Sequence, residues 1–452
     1  MNLKKKSFHI IGMCGIGMSA IALYLKRIGC DVQGSDSVIN STMAQKLRDD
    51  GINVMANSPD NITQDIDFLV KSTAIKNNDP ELVKANELGM TTLSRSDILS
   101  EITRQNGYVI GISGAHGKTT TTTMTGELFY YLSTNPTIFS GGIMGLFDSN
   151  FKAGSDQLMI VEADESDGTF MNLKTDVGVL TNIEFEHAEY YRDLAHLIGC
   201  CEEFINGDSV QSVVVYGDDP IIKQLKITKN HVIRYGFDQS NDVYVKDLGE
   251  SFTIVACGKE IRNVKLNAYG MHNILNALAA FCVAIATYGL NDQVIDCGLR
   301  MMENFKGVAR RFNLLTNNKG VKIIDDYAHH PTEIRATIAS AHELKSRIIA
   351  VLQPHRYSRL AALMDDFVGC MSDTDVAIVS DVYSAGETMV DGVSGEILVQ
   401  LMQEKFPHKE IYFRRDRDAI YQLLDHIKLP GDVIIFMGAG TVTDWAKNYA
   451  VD

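Results

Sequence analysis

The chain has 452 residues, of which 45% are hydrophobic and 22% are charged, a balance typical of a globular protein with several domains. Its 57 acidic and 42 basic residues give a net charge of −15, which argues against a general binder of nucleic acid or membrane surfaces, because those require excess Lys and Arg. The eight cysteines include no C-x-x-C pair, so neither a zinc cluster nor a disulfide framework is indicated.

The N-terminal stretch "MNLKKKSFHIIGMCGIGMSAIALYL" has the basic start and apolar run of a signal peptide. His9 and three glycines interrupt that run, and no small-residue cleavage site follows. No other uninterrupted apolar run is long enough to span a bilayer. The sequence therefore predicts a cytoplasmic protein with reduced thiols.

Residues 1–106 alternate between strand and helix patterns, which predicts a parallel, doubly wound sheet. "SFHIIGM" and "CDVQGSD" are predicted strands, the second ending at Asp36, and "DFLVKSTAI" is a third that leads into Ser72 and Thr73. The glycines of the first turn form G-x-x-G-x-G rather than the dinucleotide pattern G-x-G-x-x-G. Because Asp36 stands where a ribose-binding acid would, NAD binding stays an alternative, although it leaves the downstream motifs without a role.

A phosphate loop is predicted in "GISGAHGKTTTTTM", between a strand and a helix. The standard loop is G-x-x-x-x-G-K-[ST], but here the first of these positions is Ile112 and the available glycine is Gly114. Backbone N–H groups of such a loop still converge on phosphate oxygens, while Lys118 supplies a point charge and the Thr119 hydroxyl a Mg²⁺ ligand. The threonine run is interpreted as serving ligand contact, because threonine is a poor helix former. The predicted ATP-binding residues of the loop are Gly114, Ala115, His116, Gly117, Lys118, Thr119 and Thr120.

Acidic residues follow the next two predicted strands, in "VEADESD" and "TNIEFEH". Mg²⁺ prefers oxygen ligands, and Glu162 is the acid nearest its strand end, so it is the first candidate for a metal ligand. For each acid a solvated loop charge remains the alternative, and a histidine nitrogen is not a preferred Mg²⁺ ligand. The other candidates are Asp164, Glu165, Asp167, Glu184, Glu186 and His187.

A further sheet is predicted in the third segment of the chain, after a second boundary near 303–311. Its strands lie in "VKIIDDYAHHP", "RIIAVLQPHRYSR", "DVAIVSDVYSAGE" and "DVIIFMGAGTVT", and all four end in polar residues. Ligands bind outside the carboxyl ends of such strands. The predicted domains are therefore 1–106, 107–308 and 309–452.

These motifs, in this order and over nearly the whole chain, resemble the Mur ligases of peptidoglycan synthesis. "HIIGMCGIGMSAIA" resembles the family's uridine-nucleotide loop, "GAHGKTTTT" its ATP loop, and "EADESDGTF" and "TNIEFEH" its metal-binding stretches. "GMHNILNALAA" resembles its adenine-binding helix, "GVARRF" and "DDYAHHPTE" its central-to-C-terminal junction, and "QPHRYSR" and "DVYSAGE" its C-terminal substrate loops. The resemblance implies an α/β fold of three domains, with Rossmann-like N- and C-terminal sheets around a central P-loop ATPase-type domain.

The resemblance also implies an activity and its partners. An ATP- and Mg²⁺-dependent ligase is expected to phosphorylate the lactoyl carboxylate of UDP-N-acetylmuramate and to join the acyl phosphate to L-alanine as an amide. The expected protein is a monomer or weak homodimer without nucleic-acid or membrane partners. A murein tripeptide ligase acting on the same sugar nucleotide and a non-catalytic nucleotide-binding regulator stay as alternatives.

The resemblance to the family also implies functional roles for individual residues of this chain. Lys118, His187, Arg311, His329, His355 and Arg356 match catalytic positions, and either His329 or His330 is a candidate to accept the amine proton. Thr119, Glu162 and His187 match metal ligands, while Asn273, Arg311 and Asp326 match ATP contacts. The matched substrate-binding positions are Gly15, Ile16, Gly17, Ser35, Asp36, Ser72, Thr73, His329, His355, Arg356 and Arg359.

The sequence departs from the family pattern at several positions. Cys14 stands where glycine is common, Ala115 where threonine is common, and Glu186 where aspartate is usual. Several relatives carry a carbamoylated lysine near the metals, but no lysine occurs between positions 188 and 207. That absence fits the alanine-adding branch of the family.

Overall fold

A computed structural model of the chain describes residues 2–187, 190–316 and 320–451. The chain forms two compact units, one of Met1–Asn267 with Leu275–Lys306 and one of Ala268–Ile274 with Gly307–Asp452. The described residues form three sheets, of five, ten and six strands. The predicted α/β class with three sheets is therefore confirmed, while the exact domain boundaries stay a prediction.

The first sheet belongs to the first unit. Its strands are Ser7–Ile11 (β1), Asp31–Ser35 (β2), Asn53–Met55 (β3), Phe68–Lys71 (β4) and Thr91–Ser94 (β5). Its helices are Ile16–Arg27 (α1), Thr42–Asp49 (α2), Pro80–Glu87 (α3) and Arg95–Gln105 (α4). The strands are parallel in the order β3-β2-β1-β4-β5. Strands β2 and β3 lie on one side of β1, and β4 and β5 lie on the other side, so the strand order reverses between β1 and β4. Ligands bind at such a switch point, where the glycine loop leaves β1 and Ser72 follows β4.

The second sheet also belongs to the first unit. Its strands are Tyr108–Ser113 (β6), Pro136–Met144 (β7), Ser149–Lys152 (β8), Ser155–Glu162 (β9), Val177–Leu180 (β10), Ser212–Tyr216 (β11), His231–Gly236 (β12), Val243–Lys246 (β13), Phe252–Ala256 (β14) and Lys259–Val264 (β15). Its helices are Lys118–Tyr131 (α5), Thr169–Asn172 (α6), Leu194–Asn206 (α7), Met271–Tyr288 (α8) and Asp292–Asn304 (α9). The first residues of α8, up to Ile274, belong to the second unit.

Strand β6 lies between β9 and β10 in the order β15-β14-β13-β12-β11-β10-β6-β9-β7-β8. The three strands are parallel, so the loops that leave their carboxyl ends meet at one edge of the sheet. Sequence patterns did not predict the antiparallel strands β8, β14 and β15. Between β14 and β15, Cys257 and Gly258 both have positive φ, as a two-residue hairpin turn requires, but cysteine is not a usual signal for that turn.

The third sheet belongs to the second unit. Its strands are Asn313–Thr316 (β16), Lys322–Asp326 (β17), Ile348–Leu352 (β18), Val376–Val379 (β19), Glu410–Phe413 (β20) and Val433–Met437 (β21). Its helices are Pro331–Ala341 (α10), Tyr357–Ala362 (α11), Met364–Gly369 (α12), Gly395–Lys405 (α13), Arg417–Ile427 (α14) and Val442–Val451 (α15). The order is β16-β17-β21-β18-β19-β20, and only β16 is antiparallel to its neighbour. The apolar central strands are buried because helices cover both faces of a parallel sheet.

Two further expectations concern thiols and membranes. All eight cysteines are free thiols in this structure. Among the described helices, α8 alone is long and apolar enough to cross a membrane, by length and composition only. Since 61% of it is buried inside the molecule, it has the character of a core helix and is weak support for a membrane span.

Candidate functional site

The phosphate loop joins β6 to α5 and needs glycine at two positions. Gly114 and Gly117 have φ of +130° and +82°, in the region that side chains with a Cβ rarely adopt. A Cβ on Gly114 would also overlap the Thr181 hydroxyl, and one on Gly117 would overlap the Asn276 side chain. Helix α5 begins at Lys118 without a side-chain cap, so its first N–H groups face the loop. This is the geometry that binds phosphate at a helix N-terminus.

Two residues that follow β10 form hydrogen bonds with the backbone of this loop. Asn182 accepts the His116 N–H at 2.8 Å through Oδ1 and donates Nδ2–H to the His116 carbonyl at 2.9 Å. The Thr181 hydroxyl donates to the same carbonyl at 2.6 Å, and the Asn182 carbonyl accepts the Ala115 N–H at 3.3 Å. Neither residue is predicted from the sequence, although polar residues at a strand exit are a recognisable signal. The shortened loop therefore takes its shape partly from β10.

Lys118 crosses the phosphate loop. Its Nζ donates to the Gly114 carbonyl at 2.6 Å and the Ala115 carbonyl at 3.0 Å, and lies 2.8 Å from a Glu165 carboxylate oxygen. Burial works against the ammonium, but Glu165 and Asp164 raise the pKa of Lys118 to about 12, so it stays charged. Burial raises the pKa of Glu165 to about 7, although Lys118 opposes this shift. Glu165 therefore belongs to the site as the partner of Lys118.

Two predicted metal ligands are in contact. The Thr119 hydroxyl donates to Glu162 Oε1 at 3.0 Å, and Glu162 Oε2 accepts the Gly141 N–H at 2.6 Å. Burial raises the pKa of Glu162, while Lys118 opposes the shift. Adjacent ligands of an octahedral Mg²⁺ lie roughly 3.0 Å apart, given Mg–O distances of about 2.1 Å. The spacing and the all-oxygen chemistry of this pair therefore fit Mg²⁺.

The third predicted metal ligand, His187, lines a pocket together with Gly114 and Ala115 of the phosphate loop and with Glu165. Its backbone has a φ of +57°, which is uncommon for a residue other than glycine. Its Nε2 is 3.7 Å from Glu165 Oε1 and 3.8 Å from Glu186 Oε2. His116 Nε2 lies 2.7 Å from Glu184 Oε2, so the two acids of "TNIEFEH" contact imidazoles. A second metal at His187 stays a prediction.

The predicted sugar-nucleotide residues lie around the switch point of the first sheet. Gly15 is the N-cap of α1, which has neither a side-chain cap nor an acidic residue in its first turn, so Ile16 and Gly17 present a helix N-terminus suited to an anion. A Cβ on Gly12 would lie 4.0 Å from the Ser72 hydroxyl, which places the end of β4 beside the glycine loop. Thr73, the next residue, is exposed.

Ser35 and Asp36 have intramolecular partners in this structure. Strand β2 ends at Ser35, one residue before the predicted end. The Ser35 hydroxyl donates to Glu81 at 2.5 Å within a buried network that includes His9. Asp36 accepts the Cys14 N–H and the Val38 N–H, each at 2.9 Å. Both residues therefore shape the glycine loop and its surroundings, and their contact with substrate stays a prediction.

In the second unit, Arg311, Asp326 and His329 lie in the segments around β17. Asp326 accepts the Phe312 and Ala328 N–H groups, each at 2.7 Å, and burial raises its pKa to about 6 although Arg311 opposes the shift. Arg311 lies over the Tyr327 ring at 5.2 Å from its centroid. Burial lowers the pKa of His329 to about 3, so this imidazole is neutral at pH 7.

His330 acts as the N-cap of α10. Its Nδ1 accepts the Thr332 N–H at 3.4 Å. His330 also forms a capping box with Glu333, whose carboxylate accepts the His330 N–H at 3.3 Å. From sequence, either His329 or His330 is a candidate to accept the amine proton, and helix capping or packing before Pro331 is the alternative role for both. For His330 the structure supports the capping role.

Rings from three loops form a series in the second unit. His329 lies 5.9 Å from His355, and His355 stacks on Tyr383 at 5.5 Å, between ring centroids. Burial, Arg359 and Arg356 lower the pKa of His355 to about 4. Arg359 Nη1 lies 3.4 Å from His355 Nδ1, and Arg356 pairs with Glu387 at 3.1 Å. The structure therefore brings the predicted residues of "QPHRYSR" together and adds Tyr383, which the sequence analysis did not single out.

Two asparagines of α8 have different partners. The predicted adenine contact Asn273 donates to the Tyr269 carbonyl at 2.7 Å, within the second unit. One turn later Asn276, in the first unit, accepts the Thr121 hydroxyl at 3.1 Å and fills the space beside Gly117. Asn276 is not predicted from the sequence, although its spacing from Asn273 places it on the same helix face.

The chain is similar in sequence to families and proteins of known name. Three family models match it: "Mur ligase family, catalytic domain" at 7–106, "Mur ligase middle domain" at 112–284, and "Mur ligase, glutamate ligase domain" at 310–440. A UDP-N-acetylmuramate–L-alanine ligase of Agrobacterium fabrum is 39% identical, with 97% of this chain and 95% of the relative covered. One of Brucella anthropi is 38% identical over the same shares.

Two solved structures are similar to this chain over nearly its whole length. The UDP-N-acetylmuramate–alanine ligase of Thermotoga maritima has a TM-score of 0.83 and 26% identity, with 98% of each chain covered. A murein peptide ligase of Psychrobacter arcticus has a TM-score of 0.73 and 20% identity, again over 98% of each chain, and shows likeness of fold alone.

Proposed function

This chain belongs to the Mur ligase family, and from that premise we propose that it joins L-alanine to the lactoyl carboxylate of UDP-N-acetylmuramate with ATP as the energy source. Relatives with this activity in their names are 37–39% identical over 97% of the chain. The structural observation that carries the proposal is the phosphate loop, where charged Lys118 lies beside the Thr119–Glu162 pair.

The chemistry requires activation of a carboxylate. An amine cannot displace oxide from a carboxylate, so the carboxylate first attacks the γ-phosphorus of ATP and releases ADP. The alanine amine then attacks the acyl carbon, and phosphate departs from the tetrahedral intermediate. In phosphoryl transfer a protein mainly positions groups and stabilises charge.

We assign the charge-stabilising roles to residues of both units. The Lys118 ammonium offsets the developing charge on the phosphoryl oxygens, and Arg311 supplies a second cation. Thr119 and Glu162 would hold Mg²⁺, with His187 the candidate for a second metal, and such a metal when bound neutralises phosphate oxygens. Asn273 and Asp326 are assigned to the adenine and ribose of ATP.

The remaining assignments concern the substrates. Gly15, Ile16, Gly17 and Ser72 are assigned to the sugar nucleotide, and Arg356 and Arg359 to carboxylates, which arginine can bind with two parallel hydrogen bonds. His329 and His355 are assigned to positioning alanine. With a pKa of about 3, His329 is a weak base, so a role as proton acceptor requires its environment to change when substrates bind. We further infer a cytoplasmic protein, active as a monomer or weak homodimer.

Phosphate release tests the function. The purified chain is incubated with Mg²⁺, ATP and UDP-N-acetylmuramate, and L-alanine is compared with the tripeptide L-alanyl-γ-D-glutamyl-meso-diaminopimelate. We expect release with L-alanine that is at least about 100-fold faster than without an amine, and none from Lys118→Ala. Release that depends on the tripeptide would instead assign a murein tripeptide ligase, and nucleotide binding without turnover would assign a regulator.

A further inference from the structure

Arg95 lies between two loops of the first unit. It is the first residue of α4, whose N-cap Ser94 forms a capping box with Asp97 and so fixes where the helix begins. Arg95 Cδ and Nη1 are each 3.5 Å from the position that a Cβ on Gly17 would occupy. The guanidinium therefore lies against the glycine loop assigned to the sugar nucleotide.

The same guanidinium binds the acidic loop that follows β9. Arg95 Nη2 donates to Asp164 Oδ2 at 2.7 Å and to Asp167 Oδ2 at 2.9 Å. The three side chains are only 16–29% exposed, so solvent screens these pairs less than a surface pair. Although burial opposes it, Arg95 and Lys118 hold the pKa of Asp164 well below its usual range, so the carboxylate is charged.

Each aspartate also shapes its own loop. Asp164 Oδ1 accepts the Ser166 N–H at 3.0 Å, and Asp167 Oδ1 accepts the Thr169 N–H at 3.1 Å. Between them, Glu165 pairs with Lys118, and two residues before Asp164 the Glu162 side chain contacts Thr119. A displacement of Arg95 would therefore act on the loop that carries Glu165 and that begins directly after Glu162.

We propose that Arg95 is a positioning residue that couples sugar-nucleotide binding on the glycine loop to the phosphoryl-transfer site. The inference rests on the proposed function, because it takes the glycine loop as the sugar-nucleotide site. A ligand on Gly15–Gly17 changes the position of the guanidinium, which in turn orients Asp164, Asp167 and the acidic loop. Arginine suits this role because its planar fork offers several fixed donors, whereas a lysine ammonium offers one point of attachment.

Calorimetric titration of the full chain tests the coupling. UDP-N-acetylmuramate is titrated with and without saturating Mg²⁺ and the non-hydrolysable analogue AMP-PNP, and the ratio of the two Kd values is the coupling factor. We expect the wild type to show a factor of about five or more. In Arg95→Met we expect a factor within about twofold of one, with AMP-PNP binding alone little changed, and in Arg95→Lys an intermediate factor.

A matched control separates coupling from stability. Arg262→Met removes an exposed arginine that pairs with Glu260 at 2.7 Å in the same unit, and it should keep the wild-type factor. If Arg95→Met does not fold, Asp167→Asn takes its place and should also lower the factor. A wild-type factor near one, or a factor unchanged in Arg95→Met or Asp167→Asn, would overturn the proposal. Failure of the wild type to bind UDP-N-acetylmuramate at all would instead refute the proposed function.

Discussion

At Asn182 a single amide determines the position of part of the phosphate loop. Both ends of its side chain bond the backbone of His116, at 2.8 and 2.9 Å. A glycine-rich loop without such partners has many accessible conformations, so the amide reduces the entropy lost when the loop orders around phosphate. The sequence motif of the loop does not predict this contribution, because Asn182 follows β10 and the loop follows β6.

Replacement of Asn182 by alanine should weaken ATP binding. Two hydrogen bonds to the loop are lost, and at about 0.5–1.5 kcal/mol each the KM for ATP should rise roughly 10-fold, with a smaller change in kcat. Steady-state kinetics with ATP varied measures this split. The control is Asn206→Ala, because Asn206 also bonds backbone through both ends of its amide, to Lys226 and Thr228 at 2.8 Å each, outside the site. Equal changes in the two variants would contradict the role.

At the scale of the element, helix α5 corrects the interpretation of the threonine run. Thr121, Thr122 and Thr123 are fully buried, so packing in the core accounts for these three positions. The Thr123 hydroxyl donates to the Thr119 carbonyl one turn earlier, so this buried hydroxyl has a hydrogen-bond partner within its own helix. The phosphate-loop motif correctly predicted where α5 begins. Threonine, a poor helix former, is tolerated in this helix because tertiary packing outweighs helix propensity.

The same helix buries a carboxyl group. Glu127 is fully buried, and no side chain among the described residues gives its oxygens a hydrogen bond. Burial raises its pKa to about 8, with Lys306 opposing the shift. For an acid whose folded pKa exceeds its unfolded value, the folded state loses stability as pH rises from about 4.3 through about 8.

Glu127→Gln should therefore remove a pH dependence of stability. We expect the variant and the wild type to have similar free energies of unfolding near pH 5, and the variant to be more stable above pH 8 by a few kcal/mol, roughly up to 4. Denaturant unfolding across this pH range measures the difference. The exposed Glu250→Gln serves as the control, and parallel pH curves for Glu127→Gln and the wild type would contradict the prediction.

At the scale of the whole molecule, strands that end in a ligand motif were predictable, whereas the hairpins and parallel strands without such a motif, such as β11 and β12, were not. Strand-then-loop patterns such as "YVIGISGAHGKT" combine periodicity with a functional motif, so β6 and α5 lie where predicted. The antiparallel strands at the edge of the second sheet carry no ligand motif. Partners between distant segments, such as Arg95 with Asp164 or Thr181 with Gly114, depend on which strands are neighbours, and local sequence does not contain that information.

The two units lead to a prediction about unfolding. Each has its own buried core, so a single two-state transition is not expected. In scanning calorimetry we expect a calorimetric enthalpy larger than the van't Hoff enthalpy. UDP-N-acetylmuramate should raise the melting temperature of the transition that belongs to the first unit, because binding to the folded state stabilises it. One transition with equal enthalpies would contradict this expectation.

Because residues after β10 form hydrogen bonds with the phosphate loop, the loop sequence alone is not expected to keep its conformation in another protein. Residues 111–124 moved alone into a foreign scaffold would lose Asn182 and Thr181, and with them the contacts that define the turn. The smallest portable nucleotide-binding module in this protein is therefore two adjacent strands with their exits, not one contiguous peptide.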